Sequence, residues 1–313
     1  MIVVTGATGF IGKNLVKKLN SKGFKNLILV DKNIKNKSLK ELNYNKFYNY
    51  KKFINLINNS KFNYKVDIIF HLGANSSTTA SNLSLILEEN FFYSKNIINY
   101  CLKKNIKIIY ASSASVYGIN TKNFIESYNF QPSNYYSLTK TLVDMYVLNT
   151  LKKFEKAKII GLRYFNVYGP GEAHKKHMAS VIYHFNNQLL DRGSINLFKG
   201  HDGYKNGEQV RDFIHVDDCV DVNMWFMKKN TNGIYNIGTG KATSFNFLAK
   251  EICKYHKCKS RLKYINIPIK LKKFYQNYTK ASLVKLRKIG YKKKFIDIKI
   301  GIHSYLDFLK INR

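Results

Sequence analysis

The chain has 313 residues, 45% of them apolar, enough to bury a core in one large or two smaller domains. Its 53 Lys and Arg against 19 Asp and Glu give a formal charge of +34; the lysines run along the whole chain among abundant Asn, Ile, Tyr and Phe, so compositional drift is expected rather than a nucleic-acid partner. No apolar run approaches the roughly 20 residues that cross a bilayer, Met1 leads straight into Ile2-Val3-Val4 without a basic leader, and four scattered cysteines make neither a disulfide framework nor a metal site, so a cytoplasmic protein is expected.

Ile2-Val3-Val4-Thr5 reads as a buried strand ending at Gly6-Ala7-Thr8-Gly9-Phe10-Ile11-Gly12, after which Leu15, Val16 and Leu19 recur at helical spacing as far as Gly23. Glycines at 6, 9 and 12 let the backbone turn tightly and approach a pyrophosphate, whose charge the helix N-terminus meets. A second strand, Leu27-Ile28-Leu29-Val30, ends in Asp31, placed to accept hydrogen bonds from an adenosine ribose. That favours NAD by itself, but Lys32, Lys35 or Lys37 can pair with a 2′-phosphate, so NADP fits as well. Residues 32 to 65 read as a variable loop with one short helix. A third strand, residues 66 to 72, opens into Gly73-Ala74-Asn75-Ser76-Ser77-Thr78-Thr79, small residues that let a cofactor lie against the backbone. A long helix from about Leu85 to Lys104 carries Asn90 toward the same edge.

The fourth strand, Lys107 to Ser112, runs into Ser113, whose hydroxyl suits either a substrate oxygen or a turn cap. Pro132 and Ser133 start a helix on which Tyr136 and Lys140, four residues apart, share a face. An ammonium beside a phenol, whose ordinary pKa is about 10, favours the phenolate and suits Tyr136 to proton exchange near neutral pH. The same spacing alone also fits an amphipathic surface helix. A fifth strand, Ile159 to Leu162, leads into Arg163-Tyr164-Phe165-Asn166-Val167-Tyr168-Gly169-Pro170. The alternation implies an α/β fold with a doubly wound parallel sheet and its ligand at the strands' carboxyl ends.

The second half reads as a smaller α/β substrate domain, residues 171 to 313, set against a dinucleotide-binding domain of residues 1 to 170. A strand near 233 to 238 is expected to rejoin the large sheet, so that the two interleave. Helices are expected over Met178 to Leu190, from Asp217-Asp218 onward, over Ser244 to Tyr255 and over Ser282 to Lys288. Ile195 to Phe198 reads as a short strand and residues 199 to 210 as a flexible flap. Arg211 suits bidentate contact with a diphosphate or an ion pair with Asp212 or Asp217.

With the glycine turn, Ser113, the Tyr136/Lys140 pair and Arg163 to Pro170 in order, the chain resembles the extended short-chain dehydrogenase/reductase superfamily of nucleotide-sugar enzymes along essentially its whole length. Within it, Gly73 to Thr79, Asp144 to Val147, His174 to Val181, Gly207 to Phe213 and Leu271 to Gln276 look specifically like ADP-L-glycero-D-manno-heptose 6-epimerases. The resemblance implies a Rossmann-type fold and epimerisation at C6 of an ADP-heptose through a transient ketone, for lipopolysaccharide core heptose synthesis. Tyr136 and Lys175 would serve opposite faces, assisted by Lys140 and Ser113. It implies NADP held by Gly6, Gly9, Phe10, Ile11, Gly12, Asp31, Lys32, Lys37, Leu72, Gly73, Ala74, Asn75, Ser76 and Asn90, with Lys140, Val167 and Lys175 at the nicotinamide side. Substrate would meet Ser113, Asn166, His177, His184, Phe198, Lys199, Gly200, His201, Arg211 and Tyr275, in a homo-oligomer, by resemblance a pentamer. Two departures stand out. The family often has Ser near His177, and its lysine for the 2′-phosphate falls at about Ser38, leaving NADP to Lys32 or Lys37. Without the resemblance Lys175 reads as a solvated loop lysine. A UDP-hexose 4-epimerase and a non-catalytic nucleotide- or nucleic-acid-binding protein remain as alternatives.

Overall fold

The computed structural model describes residues 1–32, 39–79, 81–119, 121–259, 261–272 and 275–312. The strands are β1 (Ile2–Thr5), β2 (Leu27–Asp31), β3 (Lys46–Asn49), β4 (Ile68–His71), β5 (Lys107–Ser113), β6 (Ile159–Tyr164), β7 (Asn166–Tyr168), β8 (Ile195–Phe198), β9 (Val210–Arg211), β10 (Phe213–His215), β11 (Gly233–Ile237), β12 (Thr243–Ser244) and β13 (Leu262–Ile265). The helices are α1 (Phe10–Ser21), α2 (Tyr50–Asn58), α3 (Leu83–Ile86), α4 (Tyr93–Lys104), α5 (Tyr135–Lys153), α6 (Val181–Arg192), α7 (Val216–Lys228), α8 (Phe245–Tyr255), α9 (Ile269–Lys272), α10 (Val284–Lys288) and α11 (Ile298–Ile311). None of the described helices is long and apolar enough to cross a membrane.

Seven strands form a parallel sheet in the order β11-β6-β5-β4-β1-β2-β3, the doubly wound α/β arrangement expected from the alternating pattern. β1 and β4 are fully buried along their lengths, as strands covered on both faces must be. The strand order reverses between β1, which pairs with β2 on one side, and β4 on the other, so their carboxyl ends define a crevice.

The chain divides into two compact units. The first comprises Met1–Val116, Tyr128–Arg163 and Val220–Tyr235; the second comprises Tyr117–Ser127, Tyr164–Cys219 and Asn236–Arg313. In the first unit Val3, Ile28 and Ile69 of the sheet pack with Ile97 of α4 and Val147 of α5. In the second, Ile182 and Phe185 of α6, Leu248 and Ile252 of α8, and Ile302 and Tyr305 of α11 form a separate core with Tyr168.

Several elements depart from expectation, each for a local reason. β3 lies inside the stretch expected to be loop, because only Tyr48 of its four residues is buried and no alternation is visible. The helix expected from Leu85 onward is α3 and α4 joined by a π-helical turn, Leu87–Phe92. α5 begins at Tyr135 rather than Pro132, since Asn134 and Ser137 form a reciprocal cap: Ser137 N donates to Asn134 Oδ1 (2.8 Å) and Asn134 N to Ser137 Oγ (3.0 Å). Likewise α6 starts at Val181, where Ser180 accepts from Tyr183 N, and a short 3-10 turn, Ala173–Met178, precedes it.

Candidate functional site

At the crevice of the first unit the glycines are required by space. A Cβ on Gly6 (φ +66°) would lie 2.6 Å from Gly73 N, and one on Gly12 would lie 2.0 Å from Gly6 O. Two strand ends thus meet backbone to backbone, and α1 starts from Gly9, which offers no side-chain cap. A cradle that any side chain would fill, facing a helix N-terminus, fits a dinucleotide pyrophosphate. Phe10 and Ile11 form the first turn of α1. Asp31 ends β2 with its carboxylate turned to the glycine loop: Oδ2 accepts from Thr8 N (2.8 Å) and Thr8 Oγ1 (2.7 Å). Lys32 Nζ donates to Glu89 Oε1 (2.6 Å), while Glu89 Oε2 accepts from Asn75 Nδ2 (2.8 Å). Lys35, Lys37 and Ser38 lie outside the described residues.

A hydrogen-bond chain runs beneath the crevice. Gly73 N donates to Thr5 Oγ1, which meets His71 Nδ1 at 2.7 Å, and His71 Nε2 lies 2.9 Å from Ser94 Oγ, which donates to Asn90 O. Burial holds the His71 imidazole neutral, with its pKa pushed down to about 3. Asn90, expected to line the dinucleotide, is instead fully buried. Its Oδ1 accepts from Asn75 N (2.7 Å), and its Nδ2 donates to Asn75 O and Thr139 Oγ1, both at 3.0 Å. Asn90 therefore fixes the loop of Leu72, Gly73, Ala74, Asn75 and Ser76 from below. Through Thr139, whose hydroxyl donates to Tyr136 O, that scaffold reaches the first turn of α5.

Ser113, Tyr136 and Lys140 come together at the ends of β5 and α5. Burial pushes the Tyr136 phenol above its ordinary pKa, and its hydrogen bond with Ser113 acts the other way. Lys140 Nζ donates to Ala111 O (2.8 Å) and stands 5.9 Å from the Tyr136 ring centre; burial lowers its pKa to about 8, partly countered by Asp144. The expected drop of the phenol toward neutrality is not seen, because burial outweighs the Ser113 hydrogen bond. Behind them Asp144 accepts from Tyr110 OH (2.8 Å) and from Arg163 Nε (2.7 Å), all three side chains buried.

In the second unit the expected substrate residues Phe198, Lys199, His201 and Tyr275 gather around Arg211. Its guanidinium lies 5.1 Å from the Tyr275 ring centre and 5.7 Å from that of Phe245, and it donates to Val210 O. Neither alternative ion pair forms: the Asp212 carboxylate accepts from Thr239, Gly240 and Ala281 instead, and Asp217 lies beside His215. Burial lowers the Arg211 pKa to about 10, leaving the cation in need of an anion. Tyr275 packs edge-on against Phe198 and His201, and Gln209 Nε2 donates to Lys199 O. A Cβ on Gly200 would lie 1.9 Å from Tyr204 O. The segment expected as a flexible flap is pinned to α8: Asn246 N donates to Gly207 O, and Asn246 Nδ2 donates to Asn206 O and Glu208 Oε1. Phe245, Gln209 and Asn277, which reaches toward His201 Nδ1 at 3.3 Å, complete this cluster and were not expected from sequence. Phe245 and Asn277 stand outside every quoted motif, whereas Gln209 lies within the Gly207 to Phe213 stretch.

Asn166 and Val167 lie on β7, with Asn166 Oδ1 3.5 Å from Thr279 Oγ1. Lys175 and His177 lie on the 3-10 turn and His184 in the first turn of α6. Burial lowers the Lys175 pKa, and Glu172 acts in the opposite sense.

Comparison with known proteins agrees with this geometry. The family model for the NAD dependent epimerase/dehydratase family matches residues 2–238. The structure of ADP-L-glycero-D-manno-heptose-6-epimerase from Helicobacter pylori is 28% identical with a TM-score of 0.84, covering 99% of this chain and 96% of that one. The UDP-N-acetylglucosamine 4-epimerase of Methanobrevibacter ruminantium, in complex with UDP-N-acetylmuramic acid, is 25% identical, TM-score 0.86, with 100% and 98% covered. UDP-glucose 4-epimerase of Thermotoga maritima is 26% identical, TM-score 0.83, with 99% of each chain covered. With the cradle, the Ser-Tyr-Lys group and a match over most of its length, the chain belongs to the NAD dependent epimerase/dehydratase family and is an enzyme of the nucleotide-sugar epimerase type.

Proposed function

We propose that the protein inverts C6 of an ADP-activated heptose, converting ADP-D-glycero-D-manno-heptose into its L-glycero epimer for lipopolysaccharide core heptose synthesis. A bound pyridine nucleotide supplies acceptance and return of the hydride. Tyr136, aided by Ser113, exchanges the hydroxyl proton on one face of the transient ketone; Lys140 holds the ribose side, and Lys175 exchanges the proton on the other face. The observation that carries the heptose reading is Lys175: it is half-buried on the 3-10 turn before α6 rather than solvated, and burial moves its amine down from the ordinary lysine value while Glu172 acts the other way, which suits proton exchange. The Helicobacter pylori relative supports the same substrate. The proposed cofactor is NADP. Lys32 spends one N–H on Glu89 and keeps two for a 2′-phosphate beside Asp31. We place the ADP diphosphate at Arg211 and its base among Phe198, His201 and Tyr275, and we propose a homo-oligomeric assembly.

A UDP-hexose 4-epimerase is the second reading, favoured by the two 4-epimerase structures of similar likeness. The experiment is incubation of the pure protein with ADP-D-glycero-D-manno-heptose and, separately, with UDP-galactose, following epimer ratios by NMR without added cofactor. Inversion of the heptose is expected, with Lys175→Met losing nearly all of it while an ADP-sugar analogue bearing an aldehyde at C6 is still oxidised and reduced. Inversion of UDP-galactose alone, or full activity in Lys175→Met, rejects the heptose reading.

A further inference from the structure

The segment between β7 and α6 holds a carboxylate to which the proposed reaction gives no task. Glu172 is fully buried. Its Oε1 accepts from Gly169 N (3.3 Å) and Ser180 Oγ (2.6 Å), and its Oε2 accepts from Ser180 N (2.6 Å). One side chain therefore fastens both ends of the segment that carries Lys175. Inside that closure Lys175 N donates to Glu172 O (2.9 Å) and Ala179 N to Lys176 O (3.0 Å). Lys176 is held at φ 53°, ψ −122°, a backbone conformation that strains a residue with a Cβ. Such strain persists where surrounding bonds over-determine it, and here the segment is closed at both ends by Glu172 and bonded within by Ala179 N to Lys176 O. Glu172 also precedes Lys175 by three residues, which on a 3-10 turn sets two side chains on one side, and it acts on the Lys175 pKa in the sense opposite to burial.

We propose that Glu172 is the positioning residue for Lys175, its carboxylate closing the Gly169–Ser180 segment and supplying the countercharge to the Lys175 amine. The inference rests on reading Lys175 as a proton donor. Within the segment Glu172 is the one acid, and outside it Asp191 of α6 lines the hollow beside Ala173. His174, Lys176 and His177 within it carry no negative charge, nor does His215, which lies against Gly169. Burial and the neighbouring Glu172 push the Tyr305 phenol of α11 far up, so it is neutral, and Tyr183 of α6 is a phenol as well.

Competitive labelling of lysine amines against pH, read at Lys175 by peptide mass spectrometry, tests the pairing without activity, and epimerisation of the ADP-heptose tests its consequence. In folded Glu172→Gln the half-labelling pH of Lys175 should fall by about one unit, because a charge that favours the ammonium is gone. Epimerisation kcat should fall at least about tenfold with KM little changed, and its alkaline limb should move down by the same interval. Ser180→Ala keeps the charge and removes one arm, so it should lower kcat with the labelling pH unchanged; this variant decides if Glu172→Gln does not fold. A folded Glu172→Gln with the wild-type labelling pH, or Ser180→Ala with wild-type kcat, overturns the inference. Full epimerisation by Lys175→Met would instead remove the two-donor reading, while the labelling result would still decide the Glu172 pairing.

Discussion

Lys140 is buried, with the Ala111 carbonyl at 2.8 Å and Asp144 one helical turn further along α5. Burial costs the charged form more than these partners return, and its pKa falls to about 8. Between that value and the ordinary lysine value the unfolded chain binds more protons than the folded one, so stability should rise with pH across this window. Denaturant unfolding of the wild type and Lys140→Met at pH 7.5 and 10 measures it; the wild type should gain on the variant toward pH 10, and parallel trends would refute the penalty. Tyr136→Phe tests the neighbouring group. It removes the hydroxyl at nearly constant volume, so epimerisation should fall by about two to four orders of magnitude with cofactor affinity little altered; retained activity would move the acid/base role elsewhere. The shared face of Tyr136 and Lys140 was legible from their spacing. The bond to Ala111 O was not, because it depends on where the end of β5 meets α5.

The π-helical turn Leu87–Phe92 shows the same limit one level up. The turn closes i→i+5 rather than i→i+4 hydrogen bonds, and no residue type within Leu87–Phe92 marks that change, so the sequence reads as one helix. Yet the turn is what presents adjacent residues to two tasks: Asn90 inward to Asn75 and Thr139, Glu89 sideways to Lys32 and Asn75. If a 2′-phosphate sits beside Asp31, as the fold's ribose rule places it, Glu89 is a like charge near it. Glu89→Gln should therefore raise affinity for NADP relative to NAD by about tenfold, read from thermal shifts or calorimetry. An unchanged ratio would place the phosphate elsewhere. The wild type should be protected from unfolding by NADP at least as well as by NAD. Elements whose rules are local, such as the glycine turn and the alternation of buried strands with helices, were readable; β3, with a single buried residue, and the pinned 199–210 segment, held by Asn246 from α8, were not.

At the scale of the molecule, the return of β11 to the large sheet was legible as an apolar strand late in the chain, but the loan of Tyr117–Ser127 to the second unit was not, since no composition shift marks it. β11 flanks β6, which would otherwise be the sheet's edge. A fragment of residues 1–170 carries β1 to β7 without that neighbour, so it should aggregate or precipitate where the full chain gives one defined species, as size-exclusion chromatography would show. A well-behaved monomeric fragment would mean that β6 tolerates exposure. The same connectivity has a consequence during synthesis. A ribosome adding residues from the N-terminus finishes β6 at residue 164 and must add about seventy more before β11 exists. For several seconds the nascent chain presents an open strand to its surroundings, and the enzyme's yield in a cell depends on what shields that strand until its last neighbour is made.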